Sequence, residues 1–162
     1  MVQPIGYWPF KPMARVQIPP GALMKNKDLI LELIRKEKLA VVSTINKDGK
    51  PQSAVVEFSE TDKLEIIFDT FCTSRKYKNL LNKKDVSIVI GWDDDITVQC
   101  DGVAKELSGK ELEEAKKIHV KKLPGSAKFT TMSDIRFFKI VPKWIRYSDL
   151  SVNPWEVSEI KF

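Results

Sequence analysis

The sequence predicts a mainly β domain, a six-stranded antiparallel barrel with a few helices. Two observations carry this. Three apolar, β-branched segments follow one another over residues 39–69, separated by polar turns, which is the pattern of a meander. Three more strand-like segments, 86–92, 96–107 and 135–147, follow with only short helical stretches between them. Six strands joined in this way are expected to close on themselves, because closure removes exposed sheet edges.

Residues 1–23 stand apart. They are rich in proline and aromatics (Tyr7, Trp8, Pro9, Phe10, Pro12, Pro19, Pro20) and show no period, so they read as an extension or arm ahead of a domain spanning 24–162. The domain opens with an amphipathic helix, in which Leu29, Ile30, Leu33 and Ile34 recur at helical spacing opposite Glu32, Arg35 and Lys36. Leu39–Ile45 is the first strand. Asn46-Lys47-Asp48-Gly49 supplies a turn, and Gln52–Phe58 returns antiparallel to it. A second polar turn, Ser59–Lys63, leads to the strand Leu64–Asp69. Ser74–Leu81 reads as a short helix that Thr73 or Ser74 can cap. Val86–Trp92 reads as a buried strand with Trp92 in the core, and Asp93-Asp94-Asp95 as a hairpin turn before the strand from Ile96. Glu111–Val120 is expected to be helical with Leu112, Ala115 and Ile118 inward, 121–132 to be a loop, and Ile135–Tyr147 the last long strand.

Composition narrows the function. Apolar residues make up 43% and charged residues 30%, the balance of a globular domain. No apolar run is long enough to span a bilayer, and the N-terminus lacks the charged start and apolar run of a leader peptide. Two cysteines, Cys72 and Cys100, fit neither a disulfide framework nor a Cys-x-x-Cys pair, which points to a reducing cytoplasm. The net charge of +5 is spread in singles and pairs, without the aromatic-interleaved basic stripe of a nucleic-acid surface. The one histidine, His119, lies on a lysine-rich helix and reads as a surface residue. It cannot form a histidine metal cluster, and there is no Gly-x-Ser-x-Gly elbow or Gly-x-Gly-x-x-Gly loop. If the protein is an enzyme, a cofactor is expected to carry the chemistry.

One segment offers a site for such a cofactor. In Phe68-Asp69-Thr70-Phe71-Cys72-Thr73-Ser74-Arg75-Lys76 a strand ends, a loop presents hydroxyls, and a helix begins behind a basic pair. Helix N-termini present unpaired N–H groups and a positive dipole end, which favour phosphate. Ser74 adds a hydroxyl, Arg75 a planar fork and Lys76 a point charge. A capped helix with exposed basic residues would read the same way.

The spacing resembles the flavin mononucleotide (FMN) motif of the pyridoxamine 5′-phosphate oxidase family, Phe-Tyr-Thr-Asn-x-x-Ser-Arg-Lys, with Phe68, Thr70, Ser74, Arg75 and Lys76 in register. Lys50–Val56 resembles the family's strand beneath the flavin. Asn82–Trp92 is similar to its Asn-Pro-x-Val-Ser-Leu-x-Phe-x-Trp strand, and Val98–Ala104 to the strand ending Gly-x-Ala. The likeness covers about residues 28–148. It implies a Greek-key split barrel of the FMN-binding type, working as a homodimer with FMN between subunits. By the same likeness Thr70, Ser74, Arg75 and Lys76 hold the phosphate, and the backbone of Ser53, Ala54 and Val55 faces the isoalloxazine ring. Thr97 stands where the family has a glutamine reaching the cofactor from the second subunit; Gln99, on the same strand face, can take that part.

The departures are specific. Ser53 replaces an arginine, Asp69 a tyrosine and Phe71 an asparagine. An acid at Asp69 suits a neighbouring phosphate only if strand alternation turns it away from Thr70. The family's C-terminal tryptophan followed by Arg-Leu-x-Pro is missing; Asn153-Pro154-Trp155-Glu156-Val157 carries no arginine. The expectation is therefore an FMN-dependent oxidoreductase of unassigned small-molecule substrate rather than a pyridoxamine phosphate oxidase. The alternatives are a flavin-binding or storage protein without turnover, a barrel that has lost flavin and serves as an interaction module, and deazaflavin in place of FMN.

Overall fold

The computed structural model describes residues 20–162, with side chains from residue 26. The expected N-terminal arm, 1–23, therefore lies outside the described residues except for its last four positions, which open the first helix. The elements are α1 (Pro20–Lys36), β1 (Leu39–Ile45), β2 (Pro51–Glu60), β3 (Ile66–Phe71), α2 (Arg75–Asn82), β4 (Asp85–Ile90), β5 (Ile96–Glu106), α3 (Gly109–Lys122), β6 (Ile135–Asp149) and β7 (Glu156–Lys161). No helix among the described residues is long and apolar enough to cross a membrane.

The strands run in the order β3-β2-β1-β4-β5-β6-β7, and β3 also pairs with β6. Six strands thus form a closed antiparallel barrel and β7 lies outside it on the second half of β6. After the β1-β2-β3 meander the chain returns to place β4 beside β1, a Greek-key step. The β1–β2 turn follows local chemistry. Asn46 Oδ1 accepts the amides of Asp48 (3.0 Å) and Lys50 (2.8 Å), and Gly49 takes φ +78°. At Gly102, beside a bulge in the β5–β6 pairing, a Cβ would meet the Val141 carbonyl oxygen at 2.6 Å, so only glycine fits there.

Alternation sends Ala40, Val42, Val56, Phe58, Phe68, Ile88, Ile90, Val98, Cys100 and Ile140 inward, and Ile30, Leu31 and Ile34 of α1 join this core. Phe58 and Phe68 are in register, and the Phe68 and Phe138 rings stack at 5.6 Å. A smaller cluster, Ile67, Leu107, Ala115, Ile135 and Phe137, lies beneath α3 and the 3-10 segment Pro124–Thr131.

Several expectations need correction. His119 is fully buried, because Ala115 and His119, four apart, form the inner face of α3, while Ile118 faces out. Its Nδ1 lies 3.0 Å from Ser59 Oγ, and its ring meets that of Phe137 edge-on. Trp92 is exposed: β4 ends at Ile90, and Gly91, at φ +69°, swings the chain away before Trp92 can follow Ile88 and Ile90 inward. Residues 121–132 are largely helical rather than a loop.

A candidate phosphate cleft where β2 and β3 part

Strands β2 and β3 are zipped only through Phe58↔Phe68, Ser59↔Ile67 and Glu60↔Ile66. Beyond Phe68, β3 pairs with β6 alone, through Asp69↔Phe137, Thr70↔Arg136 and Phe71↔Ile135. Before Phe58, β2 pairs with β1 alone. The two edges diverge, and a cleft of about 210 Å³ opens between them. Val55, Val56 and Glu57 line it from β2; Asp69, Thr70 and Phe71 from β3; Ser74 and Lys76 from the start of α2.

Helix α2 is held in place by a polar anchor. Buried Asn79 donates from Nδ2 to Thr44 Oγ1 (2.9 Å) and Gln52 Oε1 (3.0 Å), tying the helix to β1 and β2. At the other end Ser74 is the N-cap. Its Oγ accepts from the Tyr77 amide at 3.2 Å and lies 2.8 Å from Thr70 Oγ1. The first amides of a helix have no intrahelical partner, which leaves those of Arg75 and Lys76, next to the Ser74 cap, free for a ligand. Two hydroxyls, a helix N-terminus and a lysine thus converge on one small opening.

The charges are mixed. Burial pushes the Asp69 carboxyl above the ordinary carboxylate range and the Glu57 carboxylate adds to this, while Lys76 opposes it. Burial likewise lowers Lys76, with Asp69 pulling the other way. Asp69 Oδ2 is buried without a hydrogen-bond partner. Alternation does place Asp69 and Thr70 on opposite faces of β3, yet both line the cleft, because it wraps around an edge that has no neighbouring strand.

The expected site residues do not all meet. Thr70, Ser74, Lys76, Asp69 and Val55 line the cleft. Arg75 is exposed on α2 beside it. Ser53 lies further along β2, its hydroxyl 2.8 Å from that of Ser43, and Ala54 is in register with Val42. Thr97 and Gln99 are on β5, three strands from β2 in either direction round the closed barrel and so on its far side. The same chain cannot bring them to the cleft. Glu57, Phe129 and Ile135 also line it, Phe129 from the segment read as a loop. Asn79 is not among the expected site residues; its place beside Leu80 on the inner face of α2 is the signal that marks it.

Other chemistry is thin. Among the described residues no group of three His, Cys, Asp or Glu could hold a metal. Burial, with help from Asp101, pushes the Cys100 thiol up to about 12, so it is inert.

Comparison with known proteins agrees with the fold. The family model described as pyridoxamine 5′-phosphate oxidase matches residues 27–149. Among solved structures, the General Stress Protein 26 of Bacillus anthracis superposes with a TM-score of 0.67 at 23% identity, over 86% of this chain and 100% of that one. A heme binding protein from Mycobacterium smegmatis gives 0.69 at 17% identity, over 80% of this chain but only 55% of that one. HutZ, the heme storage protein of Vibrio cholerae, gives 0.65 at 15% identity, over 83% and 92%. No curated protein matches at the sequence level. With the family model spanning both the barrel and the cleft, the chain belongs to the pyridoxamine 5′-phosphate oxidase family.

Proposed function

We propose that the protein binds FMN, with the phosphate at the mouth of the β2–β3 split, and acts as a flavin-dependent oxidoreductase of unassigned substrate. The observation that carries this is the convergence of Thr70, Ser74, Lys76 and the α2 N-terminus on the cleft. Ser74 and Thr70 offer hydroxyls to phosphate oxygens, and Lys76 supplies charge. Bound flavin supplies hydride transfer in either direction, so the protein need only position the ring and exclude water.

The cleft's size supports a shared site. At about 210 Å³ it holds a phosphate and the adjoining chain, whereas whole-cofactor pockets run to about 300–1,000 Å³. The ring then lies outside, against the outer face of β2, where Val55 is 59% exposed. It needs a second wall. Val55, Val41 and Val89 form one register row across the outer face, continuing to Gln99. A second copy packed on that apolar row would bring its own Thr97 or Gln99 to the ring.

Two structural relatives are described as binding or storing heme. A histidine-ligated heme finds no ligand here, since the one histidine of this sequence is fully buried beside Ser59. Flavin storage without turnover is the nearer rival, because Trp155 stands exposed with no arginine after it. The test is the spectrum of the purified protein. FMN absorbance, with FMN released on denaturation and a dimer by size measurement, supports the reading. A heme spectrum, or a monomer that keeps tight FMN, contradicts it. Bleaching by NADH or NADPH separates an enzyme from a store.

A further inference from the structure

Asp69 is an odd neighbour for a phosphate. It lines the same cleft as Ser74 and Lys76, and its buried Oδ2 has no hydrogen-bond partner among the described residues. Among the described residues the charged groups that act on it are few. Glu57 lies across the split on β2 and Lys76 reaches in from α2. On β6 the residue in register is Phe137. The flanking cations of that strand are engaged elsewhere, Arg136 with Glu106 and Lys139 with Glu65 and Glu111. Lys76 is thus the cation that balances Asp69, and it is the same cation a bound phosphate would draw on.

Resting on the phosphate reading above, we propose that Asp69 takes up a proton when the phosphate enters, so that the site grips its ligand more tightly as the pH falls. A phosphate ester brings about 1.5 to 2 negative charges. With Lys76 turned to that charge, Asp69 loses its compensation and faces two like charges, Glu57 and the ligand. A proton from solvent on Oδ2 removes the repulsion and makes the orphaned oxygen a donor to a phosphate oxygen. Burial already biases the carboxyl in that direction. The acid at this position then selects a ligand bound together with a proton rather than merely weakening the site.

The experiment uses FMN and riboflavin, which lacks the phosphate, as probes of the flavin-free full chain between pH 7 and 8.5. This range lies above the second phosphate ionisation of about 6. The wild type is expected to take up a proton on binding FMN, measured calorimetrically in buffers of different ionisation enthalpy. Its Kd should rise with pH, by at most ~10-fold per unit, with the slope equal to the protons taken up. Asp69→Asn should bind FMN more tightly at pH 8.5 and lose most of the pH dependence, and riboflavin binding should be flat for both. FMN binding without proton uptake, or a pH dependence that survives in Asp69→Asn, overturns the proton coupling while leaving the cofactor reading intact. Failure of both proteins to bind FMN at any pH overturns both.

Discussion

The same pair of strands is a structural seam at one end and a candidate site at the other. In the zipped half, Ser59 and Glu60 meet helix α3. Ser59 pairs with His119, and Glu60 with Lys122, which also donates to the Ile34 carbonyl (2.7 Å) and lies 4.1 Å from the Phe58 ring centroid. Among the described residues each half holds one orphaned buried polar atom, His119 Nε2 fully buried in the zipped half and Asp69 Oδ2 at the cleft of the parted half, where Thr70 and Ser74 have mainly each other. A helix covers the first half; nothing in the described residues covers the second to the same depth. Polar groups satisfied within the chain build the fold, and polar groups left facing a gap are available for a ligand.

Substitutions should separate the halves. The largest effect is expected from Lys122→Ala, which strands Glu60 in a largely buried setting. Loss of one partner of a buried pair costs about 3–5 kcal/mol, so denaturant midpoints should fall sharply. FMN affinity of the fraction that stays folded should hold. Next, Arg75→Ala with Lys76→Ala should lower stability far less than Lys122→Ala, since Asp69 loses its balancing cation but can take up a proton, and should severely weaken FMN retention. Lys76 should account for about 1.5–3 kcal/mol of this and exposed Arg75 for less. Unchanged flavin occupancy in the double variant would remove the phosphate assignment.

Acid should act on the zipped half. Burial, then Lys122, lowers His119 to about 4. A histidine kept neutral in the fold contributes stability above its unfolded value of about 6.5, and this is lost as pH falls toward 4. The loss should be on the order of 3 kcal/mol, and His119→Asn should flatten that limb of the stability profile. Asp69 has the opposite sign. Its raised pKa means its contribution is full below about pH 3.9 and lost as pH rises through the folded value. Asp69→Asn should therefore be more stable than the wild type at pH 7 and equal to it near pH 3, read from denaturant midpoints at the two pH values.

The zipped meander was legible because its instructions are local: Asn46–Gly49 specifies a turn, and alternation specifies the inner face. The split was not, since it depends on β3 exchanging β2 for β6 some seventy residues away. The FMN-like spacing nevertheless picked out Thr70, Ser74 and Lys76, because cap, hydroxyl and lysine belong to one short segment. β7 carries a weak strand signal, since Ser158 occupies an inward position between Glu156 and Ile160 and the segment lacks a clean apolar alternation. His119 was misplaced by its lysine neighbours, although its four-residue spacing from Ala115 marked the inner face. Trp92 has the size and apolarity of a core residue, but Gly91 turns the chain before it can follow Ile88 and Ile90 inward.

The most direct test of the phosphate cleft is the ratio of FMN to riboflavin affinity at pH 7, in the wild type and in Lys76→Ala. A phosphate held by Ser74, Lys76 and the α2 N-terminus predicts FMN tighter by at least ~10-fold, with the gap collapsing in the variant. Equal affinities in the wild type, or a gap that Lys76→Ala leaves intact, would contradict it.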